Sequence, residues 1–83
     1  MKMYLEIITP DKKVFAGEVE AAQFPGTNGS FEVLNSHAPL ISTMERGSIR
    51  LTTSNGQEFF TVDGGVVEVL NNKIIVLAES VLA

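Results

Sequence analysis

The chain has 83 residues, 45% of them hydrophobic, a formal net charge of −4 and no cysteine. That length makes one domain, residues 1–83, with a thin core, because such a chain buries only roughly 60–65% of its unfolded surface and no disulfide can reinforce it. Its six cations are scattered over positions 2, 12, 13, 46, 50 and 73, which argues against a nucleic-acid surface and against direct attraction to an anionic membrane, and no apolar run approaches the ~20 residues of a membrane span.

Alternation dominates from the start. Met3, Leu5 and Ile7 alternate with Tyr4, Glu6 and Ile8, and Pro10-Asp11 ends the run. The start of the chain lacks the long apolar region and cleavage site of a secretion signal, so the match of Asn28-Gly29-Ser30 to a glycosylation sequon is read as chance. Residues 14–24 form a second extended stretch, weakened at Ala16-Gly17, before turn chemistry at Pro25-Gly26 and Asn28-Gly29. Phe31 and Val33 point one way and Glu32 the other. The segment 37–46 holds β-branched Ile41 and Thr43 with Pro39 near its start, and is expected to be extended or irregular.

Further on, Ile49 and Leu51 alternate with Arg50 and Thr52, and Asn55-Gly56 suits a type I′ hairpin turn. A strand returns over Glu58 to Asp63, Gly64-Gly65 reads as the next break, and Asn71-Asn72 turns the chain into the β-branched run 74–78. Turns near 10, 26, 36, 47, 55, 64 and 72 have the spacing of an all-β sandwich or barrel. Ile8, Phe24, Ile41, Phe59, Ile75 and Leu77 exceed what one buried face holds. Some of them therefore lie on outer faces, either as a surface covered by a partner or as the ordinary scatter of exposed apolar side chains.

Catalysis finds little support. His37 is the one histidine. Adjacent Ser36 points to the opposite face of an extended strand, and no G-x-S-x-G elbow is present. One histidine without cysteines does not make a zinc site, so His37 reads as a structural or interface residue. Gly26 to Gly29 lacks the ending of a phosphate loop, and Gly64-Gly65 lacks the dinucleotide-binding spacing. Glu18 and Glu20 share a strand face, where such a pair is ordinarily solvated. No cofactor is implied.

The order Pro25-Gly26, Gly29, Phe31, Val33-Leu34 and His37-Ala38-Pro39-Leu40 resembles the N-terminal domain of the epsilon subunit of rotary, F-type ATP synthases. Phe15, Gly17 and Val19, then Arg46 to Arg50, Val62 to Val69 and Ile74 to Ala78 follow the same family in order. The chain departs from it at Glu32, where glycine is common, and at Asn35-Ser36, where Pro-Gly often stands. Most members also continue into a C-terminal helical hairpin, whereas this chain stops at Ala83.

The resemblance implies an all-β fold, a flattened ten-stranded β-sandwich of two antiparallel sheets with no C-terminal helical hairpin. It implies a non-catalytic central-stalk subunit that binds gamma and the polar loops of the c-ring and couples proton (or sodium) translocation to ATP synthesis. Without the hairpin it is expected not to inhibit rotation. Its place would be the cytoplasmic face of the inner membrane of a bacterium, with membrane contact only through the complex. Carried over by position, Asn28, Ser30 and Asn35 are candidates for the c-ring interface. His37, Leu40, Ile41 and Met44 are candidates for the gamma interface, with core packing the competing role. The rival reading from the residues alone is a free-standing β-sandwich module that binds a ligand or peptide.

Overall fold

The computed structural model describes residues 2–82. It contains seven strands: β1 (Met3–Ile8), β2 (Lys13–Val19), β3 (Ala21–Phe24), β4 (Phe31–Leu34), β5 (Leu40–Thr53), β6 (Gly56–Leu70) and β7 (Lys73–Ala78). Among the described residues there is no helix. The strands form one hydrogen-bonded sheet in the order β2-β1-β7-β6-β5-β3-β4. All pairings are antiparallel except β1 with β7, which is parallel.

The sheet is folded over on itself. Its short strands pair with different halves of the long hairpin. β7 pairs with residues 65–70 of β6, whereas β3 pairs with residues 50–52 of β5. The first layer is thus β2, β1 and β7 with the near halves of β6 and β5, and the second is β4 and β3 with the far halves. Phe15 of β2 meets Phe60 of β6 edge to face, with ring centroids 5.8 Å apart, closing one layer on the other. The Cα extents are 29 × 26 × 19 Å, and the smallest is the thickness of two twisted layers about 10 Å apart rather than one.

This corrects the expected ten strands in two antiparallel sheets. The count differs because β5 and β6, of 14 and 15 residues, run through both layers without a break. The turns expected near 47 and 64 are bends inside these strands. At Gly47 a Cβ would lie 2.7 Å from the Cβ of Pro25, so the absent side chain lets the loop after β3 cross close over β5.

Two further boundaries move. The stretch 14–24 divides at Glu20, whose N–H donates to the Thr52 carbonyl, and not at Ala16-Gly17, which lie within β2. The β5–β6 loop is Ser54-Asn55, with Thr53 opposite Gly56. Of Asn55 and Gly56 only Gly56 has positive φ, at 118°, so this is not a type I′ turn. The paired positive φ values of that turn occur instead at Asn71 (52°) and Asn72 (59°), between β6 and β7.

Alternation places the core as the pattern requires. Met3, Leu5 and Ile7 of β1, Ile74 and Val76 of β7, and Val67 and Val69 of β6 face inward from the first layer. Ala22, Phe24, Val33, Ile49 and Leu51 face them from the second, in one apolar cluster. No polar side chain is buried among the described residues, so the fold rests on apolar burial, about 1.5–3 kcal/mol for each large side chain.

Candidate functional site

The outer face of the first layer is built by the same alternation that fills the core. With Leu5 and Ile7 inward, Tyr4, Glu6 and Ile8 must face out, and likewise Lys73, Ile75 and Leu77 of β7 and Val66, Glu68 and Leu70 of β6. The registers set these in rows. One row runs Ile8, Leu77, Val66, Thr43, and the next runs Glu6, Ile75, Glu68, Ile41. Ile41 is 72% exposed, and Leu77 and Leu70 are each just over half exposed. An exposed apolar surface of this kind marks an interaction site. The second layer is more polar outside. There Glu32 pairs with Arg50 at 3.5 Å, and Leu34 and Phe59 are the large apolar exceptions.

One corner of the apolar face is electrostatically organised. The Tyr4 hydroxyl donates to Glu6 Oε2 at 2.7 Å, and Lys13 Nζ lies 3.3 Å from the same oxygen. The phenol's hydrogen bond holds the Glu6 carboxyl below the usual range, with Lys13 adding to it, and raises Tyr4 in return. The folded-state value of Glu6 is the lower one. Its contribution to stability is therefore complete above the ordinary glutamate range and is lost as pH falls through the lowered value. Tyr4→Phe is expected to move the Glu6 titration back up towards 4.5, read from the carboxyl carbon shift by NMR. An unmoved titration would assign the shift to the lysines, Lys13 and Lys73.

The residues singled out in the sequence fall into two groups. Asn28 and Ser30 are exposed in the loop 25–30 between β3 and β4. That loop is pinned to β5 by Thr27 N–H to Thr43 O (3.1 Å) and by Glu45 N–H to Pro25 O (2.9 Å). Asn35 lies at the opposite end of β4, four residues or about 13 Å away along the strand. Because β4 is an edge strand, all three lie along one rim rather than at one tip.

Among the others, Ile41 projects from the apolar face, while Leu40 points inward and packs against the core. Met44 is a core residue, 4% exposed. His37 is half-buried. Its Nδ1 lies 2.7 Å from the Ala38 carbonyl, which fixes the hydrogen on Nδ1. No carboxylate or hydroxyl within hydrogen-bond reach orients the ring among the described residues. Nor do three His, Asp or Glu side chains there converge on a metal-sized site. The surface depressions at Leu70, Lys73 and Ile75 and at Ile8, Pro10 and Leu77 are shallow parts of the apolar face.

Sequence reasoning missed Asn72. Its Oδ1 accepts from Ser36 N–H at 2.7 Å and its Nδ2 donates to Asn35 Oδ1 at 2.9 Å, tying the loop after β4 to the β6–β7 turn. Ser36 has φ 66°, so the tie holds a left-handed residue in place. The only local signal was the Asn-Asn pair, and it reads as a turn alone. Asn72→Gly keeps the positive φ and deletes the side chain. It is expected to speed amide exchange at Ser36 about tenfold, with Asn72→Asp, which keeps the acceptor, preserving protection. Equal exchange in all three would show that the tie does not hold the loop.

This is a small two-layer β protein whose surface is organised for contact. Its sequence matches, over residues 2–83, the family described as ATP synthase, Delta/Epsilon chain, beta-sandwich domain, and the chain belongs to that family. It is 44% identical over 78 residues to the ATP synthase epsilon chain of Chlorobaculum tepidum, spanning 93% of this chain and 89% of that one. Two solved structures share the fold at low identity. One is of the Euglena gracilis mitochondrial ATP synthase, OSCP/F1/c-ring in rotational state 1 (TM-score 0.91, 15% identity, 98% of this chain and 52% of that one). The other is of the Tetrahymena thermophila mitochondrial ATP synthase, central stalk and c-ring (TM-score 0.83, 17% identity, 99% and 66%).

Proposed function

We propose that residues 1–83 act as one stalk- and ring-binding domain of an F-type ATP synthase. The domain binds the gamma subunit through the apolar face around Ile41, with His37 and Leu40 at its margin and Met44 supporting it from the core. It rests on the polar loops of the c-ring along the rim formed by Asn28, Ser30 and Asn35. It turns with both and carries torque between proton (or sodium) translocation and ATP synthesis. Its role is non-catalytic: among the described residues the His37 ring hydrogen-bonds only the neighbouring Ala38 carbonyl, and general acid–base work needs a positioned group in reach. It sits at the cytoplasmic face of a bacterial inner membrane and meets the membrane only through the complex.

The single observation that carries this reading is the registered sheet face on which Ile41, Leu70 and Leu77 lie exposed together, in a chain of this family. The family supplies the assembly, and the face supplies a surface that needs covering. The test is reconstitution of the chain into a synthase stripped of its own epsilon subunit. ATP-driven ion pumping is expected to return without depression of ATP hydrolysis. Pumping that stays absent contradicts the coupling role, and dose-dependent inhibition of hydrolysis contradicts a domain that couples without braking.

A further inference from the structure

Glu68 is the anomaly of the apolar face. It lies in the row between Ile75 of β7 and Ile41 of β5. Val66 and Leu70 stand two residues before and after it on the same side of β6. The carboxylate therefore has an apolar neighbour on each of its four sides. The other acid of that row, Glu6, is satisfied by Tyr4 and Lys13. Glu68 has no hydrogen bond or ion pair among the described residues. Its diagonal cation by register is Lys73, but that ammonium reaches the other way, 6.0 Å from the centre of the Tyr4 ring.

We infer that Glu68 is the charged anchor of the docking face, matched by a lysine or arginine that the stalk partner sets in an otherwise apolar surface. The inference rests on the gamma-binding reading above and names the chemistry of that contact. In water an exposed glutamate costs nothing. Once a partner covers Ile41, Ile75, Val66 and Leu70, the carboxylate at their centre loses its hydration and is strongly unfavourable unless a cation meets it. A flat apolar face alone allows many orientations, and one central ion pair selects among them. The chain's net charge of −4 favours approach of a cationic surface as well.

The test is titration of purified gamma subunit with the full 83-residue chain and three variants, each checked for an unchanged thermal midpoint. Glu68→Gln is expected to bind roughly thirtyfold weaker or worse, and to lose much of the wild-type salt dependence. Glu68→Leu separates charge from apolar area. It adds apolar surface, so contact by area alone would tighten binding, whereas an unpaired cation on the partner weakens it. Lys73→Met is expected to leave affinity within about twofold, as for a rim charge.

Wild-type affinity for gamma with Glu68→Gln unchanged overturns the anchor and leaves the gamma-binding reading standing. So does Glu68→Leu binding more tightly than wild type. Unchanged affinity together with new self-association of Glu68→Gln would make Glu68 a guard against pairing between copies, which also overturns it. A loss from Lys73→Met equal to that from Glu68→Gln would assign the pair to this chain's own lysine, and the anchor falls in that case too. No binding by the folded wild-type chain overturns both readings.

Discussion

Gly65→Ala is expected to cost about 3 kcal/mol or more of folding stability, lowering the thermal midpoint by more than about 10 °C for a chain of this size. Gly65 has φ +148°, in a region L side chains rarely adopt. A Cβ there would press against the Leu77 carbonyl oxygen and lie 3.0 Å from Ala78 Cα. Both are backbone atoms of β7, so no rotamer change relieves the contact. β7 would have to move away from β6 at the bend where the sheet folds over. The Gly65 ladder with Ala78 lies there, and the Val62–Val81 bridge continues it across the bend. Gly29→Ala is the control. Its φ is +119° but nothing lies within 4 Å of the new Cβ, so its cost is the dihedral alone, about 1 kcal/mol. Thermal unfolding followed by circular dichroism measures both, and equal small losses would show that the bend does not depend on an absent side chain.

Ile41→Asp is expected to weaken binding to gamma at least a hundredfold while leaving stability within about 0.5 kcal/mol. Ile41 is 72% exposed, so the free fold loses little when it changes. In a complex the same position would hold an unpaired carboxylate one strand from Glu68, its neighbour in the row. Phe59→Asp is the matched control. Phe59 is 59% exposed, but it stands on the outer face of the other layer, opposite Arg50. If the first layer carries the interface, only the Ile41 variant loses affinity. Equal losses would spread the interface over both faces, and loss at Phe59 alone would move it to the second layer.

These effects follow from features of unequal visibility in the sequence. The alternation of β1 and β7 is plain, because one face of each is buried and the period-two pattern reports it directly. The surplus of apolar residues was also legible, and Ile41, Leu77 and Phe59 do lie outside. Phe24, in the same set, is wholly buried, since alternation within a four-residue strand leaves little to choose the face. Glycines misled in a consistent way. Gly47 and Gly64-Gly65 read as turns because the same conformational freedom serves a turn or a sharp bend, and only the partner strand decides which. Thus two long strands were counted as several short ones.

The parallel pairing of β1 with β7 joins segments about seventy residues apart, and local pattern carries no register at that distance. Of the candidate residues, the loop positions Asn28, Ser30 and Asn35 are exposed in the folded chain, while Met44 lies in the core. A methionine in an alternating strand gives no sign of which face it takes. Nothing in the sequence sets Glu68 apart, because its isolation among Ile75, Ile41, Val66 and Leu70 exists only once three strands are paired.

Docking of this domain on the stalk through an apolar sheet face is tested most directly by calorimetric titration of the chain into purified gamma subunit at several temperatures. The expected result is a tight one-to-one complex whose binding heat capacity change is clearly negative, the mark of buried apolar surface. No binding at tens of micromolar by a folded sample would contradict it, and would leave the free-standing ligand- or peptide-binding module as the reading to pursue.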